Sequence, residues 1–125
     1  MKRHEVVAKL LTDMLDAIDA IGLIVTGSTF ETYSKSLSLP SAVERKLEII
    51  GEALYQALKI EKKLRGQISD ARRIISVRNR LAHAYSDIDS EIIWGIVVND
   101  LPKLRQEVKL ALNNFASADG SGDSP

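Results

Sequence analysis

Apolar residues recur by threes and fours from the start of the chain: Val7, Leu10, Leu11, Met14, Leu15, Ile18, Ile21 and Val25, with Lys9, Asp13, Asp16 and Asp19 interleaved. That period gathers the apolar set onto one face, so the spacing predicts a long amphipathic helix. Gly27 breaks it, and Ser28 with Glu31 has the capping-box spacing for a short helix through Phe30 and Tyr33. A Ser-rich loop leads to Pro40. Ser41 with Glu44 repeats the box, and Val43, Leu47, Ile50, Leu54 and Leu58 carry a second long helix from about Pro40 to about Leu64. Gly66 punctuates, and Ile68, Ala71, Ile74, Ile75, Leu81 and Ala82 mark a third helix that should end near Ala84, before the turn-forming Ser86, Asp87 and Asp89.

The run from Ile92 to Val98 is almost wholly apolar, and by periodicity alone could be a buried strand. Helix is the better reading, because no other segment offers a strand to pair with it and Leu101, Leu104, Val108 and Leu112 continue a helical stripe. Pro102 marks a kink, or a fresh start capped by Asn99 or Asp100. The expected fold is an all-α bundle of four main helices plus one short helix. One domain spans residues 1–116, and the small, polar segment 117–125 is expected to be a disordered tail.

Composition narrows the chemistry. At 125 residues and 45% hydrophobic the chain suits one core. It has no cysteine, which removes disulfides, thiolate catalysis and cysteine zinc sites, and two histidines cannot form a three-histidine metal centre. No metal or other cofactor is expected. The longest uncharged stretch, Ala20 to Phe30, is too short to span a bilayer, and a cytoplasmic location without membrane contact follows as an expectation. Lys+Arg and Asp+Glu balance at 17 each, which argues against a tight nucleic-acid binder held by a general positive field. Between Lys59 and Arg80, however, eight basic residues face only Glu61 and Asp70, and the sign reverses after Leu81. Such a chain can present a phosphate-binding face, use opposite faces to self-associate, or merely carry a solvated basic helix end.

No glycine cluster follows a strand, so phosphate loops and dinucleotide fingerprints are missing, as is a serine nucleophile elbow. Gly51 and Gly95, inside helical patterns, are expected to mark close helix crossings. Trp94 reads as a core anchor and His4, beside a terminus, as solvated. The segment Arg78-Asn79-Arg80-Leu81-Ala82-His83-Ala84-Tyr85 stands apart. Arg78 falls on the stripe of Ile74, Ile75, Leu81 and Ala82, where a helix normally places an aliphatic side chain, and a permanent charge there needs a partner. Two readings stay open. Arg78 is a structural anchor on a carboxylate such as Glu48 or Glu52, with His83 a helix-end cap; or Arg78 and His83 form a reactive pair.

The run RNRLAHAY fits R-x-x-x-x-H-x-Y. With the upstream VERKLEIIGEA (Val43 to Ala53) and the downstream DIDSEIIWGIVVNDLP, it resembles the HepT family of HEPN-domain toxins. The resemblance implies a helical bundle, commonly dimeric, acting as a metal-independent ribonuclease and paired with a minimal nucleotidyltransferase antitoxin, MntA, that transfers AMP to the motif tyrosine. It carries catalytic roles to Arg78 and His83, an auxiliary polar role to Asn79, and the AMP-accepting role to Tyr85. Expected partners are therefore RNA, an MntA-like nucleotidyltransferase of a toxin–antitoxin pair, and a second copy of the chain. A rival reading is a catalytically silent subunit that positions a substrate for a partner nucleotidyltransferase; a purely structural helical dimer is another.

Overall fold

The computed structural model describes residues 2–83 and 88–122, with side chains as far as Phe115. In those residues the chain forms α1 (Arg3–Ile24), α2 (Phe30–Lys35), α3 (Leu39–Ile60), a 3-10 turn (Lys62–Gly66), α4 (Ala71–Leu81), α5 (Ser90–Gly95), a π-helical turn (Ile96–Asp100) and α6 (Leu101–Gly122). There is no strand among them, and the all-α expectation of four main helices with one short helix holds, α5 through α6 forming the fourth. The apolar run Ile92 to Val98 is helical, as its continuation into the Leu101, Leu104 and Val108 stripe requires. α6 runs past residue 117, the point from which composition predicts disorder.

Helix α3 is the centre of the bundle, with α1 along one side, α4 along the other, and α6 packed on α1. The predicted stripes make the core: Val7, Leu11, Met14, Ile18 and Ile21 from α1 meet Val43, Leu47, Ile50 and Leu54 from α3, all at 6% exposure or less. Burying one such side chain is worth roughly 1.5–3 kcal/mol, so this interior, rather than helix propensity, supplies the stability. Polar ties set the register at the rim. Arg3 donates to Glu61 at 2.9 Å and to the Ile60 carbonyl at 3.2 Å, closing the start of α1 on the end of α3. Arg105 reaches Asp19 at 2.7 Å, and Arg73 reaches Asp100 at 2.7 Å, binding the fourth helix to α1 and α4 respectively.

Local chemistry departs from the expected caps. The short helix is capped by Thr29, whose hydroxyl accepts from the Thr32 amide at 3.2 Å while Thr32 Oγ1 accepts from the Thr29 amide at 2.9 Å. The reciprocal box therefore sits one residue later than Ser28–Glu31. At α3 the cap position is Ser38 and Pro40 lies in the first turn, where its missing N–H costs nothing; Ser41 is already inside the helix. Helical backbone runs directly into Pro102. The π turn ahead of it absorbs the proline: the Leu101 amide bonds the Ile96 carbonyl five residues back, and helical dihedrals continue through Leu101.

Candidate active site

The reading of Arg78 as a charge on an otherwise apolar stripe is met by the way α4 lies on α3. Ile74 and Val77 are buried toward α3, and Arg78, one turn after Ile74, projects into the same contact. Gly51 makes room for it. A Cβ at residue 51 would collide with Arg78 Cβ, lie 2.8 Å from its Cγ and 3.3 Å from the Ile74 carbonyl oxygen. The expectation of a close crossing is thus correct at Gly51. It is wrong at Gly95, where a Cβ would meet nothing within 4 Å.

The next residue along α3 from that crossing is a half-buried carboxylate, and the Arg78 guanidinium forms an ion pair with Glu52 Oε2. A second guanidinium nitrogen donates to Asn79 Oδ1 at 2.8 Å. Glu52 Oε1 in turn accepts from Gln56 Nε2 at 3.0 Å, which fixes the carboxylate plane. Arg78 is therefore clamped from two sides while its side chain stays a third exposed, at 33%. Of the two orienting candidates, Glu52 makes the contact. Glu48 lines the same groove, of about 410 Å³, together with Asp13, Arg45 and Ala82. It also acts on Glu44: burial first, and then the Glu48 charge, push the Glu44 carboxyl above the usual carboxylate range.

His83 lies beyond the end of α4, its amide donating to the Arg80 carbonyl at 3.2 Å, and its side chain is exposed. Because α4 is helical only to Leu81, Arg78 belongs to its last turn while His83 follows in the bend after the cap residue Ala82. Asn79, bonded to Arg78 and in the same last turn of α4, stands four residues before His83. Tyr85, the expected modification site, lies outside the described residues. Among the described residues no three His, Asp or Glu side chains converge to hold a metal ion, and no helix is long and apolar enough to cross a membrane.

Trp94 is half-buried rather than central. Its ring packs on α2, 5.2 Å from Tyr33 and 6.5 Å from Phe30 between centroids. Tyr33 is fully buried beneath it, and burial, with Glu44 adding to it, pushes its phenol up to about 12. His4, expected to be solvated, is half-buried on the first turn of α1.

Comparison with known proteins bears on this arrangement. The chain is similar to "Probable ribonuclease HepT" of Thermococcus cleftensis, 34% identical over 95 residues, covering 76% of this chain and 86% of that protein. It is also similar to "Putative RNase TTE0752" of Caldanaerobacter subterraneus subsp. tengcongensis, 34% identical over 87 residues, 68% of this chain and 75% of the other. A third, "Putative RNase MJ1380" of Methanocaldococcus jannaschii, is 30% identical over 112 residues, 88% of this chain and 99% of the other. No solved structure matches the chain. Residues 14–111, which contain the Gly51 crossing, the Glu52–Arg78–Asn79 cluster and His83, match the family described as ribonuclease HepT-like, and the chain belongs to that family.

Proposed function

We propose that this protein is an endoribonuclease toxin that cuts RNA without a metal ion and is silenced by a nucleotidyltransferase antitoxin. One observation carries the reading: in a HepT-like chain, Arg78 is held by Glu52 and Asn79 at the α3–α4 crossing, with His83 exposed just past the end of the same helix. In the proposed reaction a base takes the proton of an RNA 2′-OH, and the freed oxygen attacks the adjacent phosphorus. The bond to the 5′ oxygen breaks as an acid protonates it, leaving a 2′,3′-cyclic phosphate and a 5′-hydroxyl. Histidine is suited to both proton transfers near neutral pH, and a positioned guanidinium stabilises the added negative charge at phosphorus.

Each protomer contributes one motif histidine. A homodimer that brings two copies of His83 to one cleft would supply both the base and the acid. Control is assigned to Tyr85. Its phenol oxygen attacks the α-phosphorus of ATP, pyrophosphate leaves, and the attached AMP places a phosphodiester charge among the arginines that would otherwise hold substrate phosphate. The proposed setting is the cytoplasm, beside the antitoxin.

The test is RNA cleavage by the purified protein in EDTA. His83→Ala and Arg78→Ala should each lower the rate about 10²-fold or more with helical content retained. Full-rate cleavage by His83→Ala would refute the mechanism, and dependence on added divalent ion would refute metal independence. Light scattering should find a dimer at micromolar concentration; an active monomer would remove the shared-histidine arrangement.

A further inference from the structure

Helix α4 has a second side, away from Arg78 and Glu52. There the last turns of α3, the 3-10 turn and α4 enclose a groove of about 750 Å³, open to solvent. Four cations line it, Lys59, Lys62, Arg65 and Arg72, and no carboxylate does. The neighbouring acids have partners of their own: Glu61 pairs with Arg3 at 2.9 Å and Asp70 with Lys103 at 3.5 Å, while Glu107 accepts from the hydroxyl of the groove residue Ser69 at 2.9 Å. Among the described residues Lys62, Arg65 and Arg72 form no ion pair. Four like charges around one groove repel each other, and a polyanion relieves that repulsion while releasing its own counterions.

The floor is apolar, from Leu58, Ile68 and Ile75, and at its edge Tyr55 is 45% exposed with Lys59 Nζ 6.0 Å from its ring centroid. An exposed aromatic ring beside a line of cations is what a single strand requires, since an unstacked base can lie on the ring while phosphates meet the charges. A duplex keeps its bases stacked inside and has no use for the ring.

The groove also points at the candidate active site. Arg72, Ser76 and Asn79 line it, and spacings of four and three residues place them on one stripe of α4. His83 follows four residues after Asn79, just past the end of α4 toward which this stripe runs. Asn79, whose Oδ1 is taken by Arg78, sits where the groove meets the reactive pair.

We propose that this groove is the binding track for single-stranded RNA leading to His83: Lys62, Arg65 and Arg72 hold phosphates of the strand flanking the scissile bond, and Tyr55 stacks on a base. The inference rests on the ribonuclease reading and adds where the substrate lies. It makes Tyr55 a binding residue that sequence periodicity does not single out.

The test measures binding of a fluorescent single-stranded 2′-O-methyl RNA, which cannot be cut because its 2′ oxygen is capped. The triple variant K62Q/R65Q/R72Q should lower the slope of log affinity against log salt by about 2, at roughly 0.7 per phosphate contact on a single strand. Y55A should bind about tenfold more weakly and Y55F close to the native protein. K109Q, an exposed neutralisation on α6, should change neither. On cleavable RNA the triple variant should raise KM with kcat largely kept. A native salt slope in the triple variant, affinity lost only because the dimer falls apart, or poly-glutamate competing as well as RNA would each overturn the proposal. If the native protein cuts RNA but the triple variant binds and cuts unchanged, the track fails and the ribonuclease reading stands. If RNA binds through the groove and unmodified RNA is never cut, the ribonuclease reading fails and the binding site stands.

Discussion

Replacing Gly51 by alanine tests whether the α3–α4 crossing sets the position of the proposed catalytic arginine. The added methyl meets Arg78 Cβ, an atom fixed to the α4 backbone, and lies 2.8 Å from its Cγ. Ordinary carbon contact is about 3.5–4.0 Å, so α4 must move away from α3 by about 1 Å. Two stability effects oppose each other. Alanine gains about 0.8–1 kcal/mol over glycine within a helix, and overpacking costs about 1–3 kcal/mol. The net expectation is destabilisation of up to about 2 kcal/mol, a fall of several degrees in Tm, with the fold retained. The effect on activity is larger, since misplacing a reacting group by about 1 Å can cost about 10²-fold. Circular dichroism melts and initial cleavage rates measure both. Gly95→Ala is the matched control: its methyl enters open space, so it should gain about 0.8–1 kcal/mol and cleave normally. If Gly51→Ala melts and cleaves like the native protein, the crossing does not position Arg78.

Glu52→Gln should lower cleavage about tenfold or more by releasing Arg78, yet cost only about 1 kcal/mol or less because the pair is partly exposed; Glu48→Gln should do less to activity, and equal losses from both in rate assays would reject Glu52 as the positioning residue. The Tyr33 hydroxyl is buried and has no hydrogen-bond partner among the described residues, so Tyr33→Phe should be neutral or stabilising in denaturant titrations. Its phenol, pushed up to about 12 in the fold, ionises first in the unfolded chain; the native protein should therefore lose stability relative to Tyr33→Phe as pH rises from about 10 to 12, by up to roughly 3 kcal/mol, and a pH-independent difference would contradict the burial argument. On the proposed reading, Tyr85→Phe should remain toxic and accept no AMP from a nucleotidyltransferase antitoxin with ATP, and mass spectrometry finding the adduct on another residue would refute the assignment.

The helices themselves were legible in the chain, because a 3.6-residue period is a local property: each stripe from Val7 to Val108 names its own buried face. The order of blocks and the RNRLAHAY run likewise pointed to the family without any coordinate. Cap positions were less determinate, since Ser28–Glu31 and Thr29–Thr32 offer nearly equivalent local chemistry one residue apart, and the packing of α2 under Trp94 accompanies the second. The π turn before Pro102 was hidden because either a kink or a restart also accommodates a missing N–H. Gly51 and Gly95 look alike in sequence, and only the neighbour across the crossing distinguishes them. Glu48 and Glu52 stand one turn apart on one face, so either could reach α4 by spacing alone; the tertiary contact chose Glu52. The same holds for charge. The basic run from Lys59 to Arg80 is plain in the sequence, but how it divides is not. Rotation about α4 turns Arg78 inward to Glu52 and leaves Arg72 facing an acid-free groove, because a helix sends neighbouring charges to different surfaces and only packing decides what each surface meets.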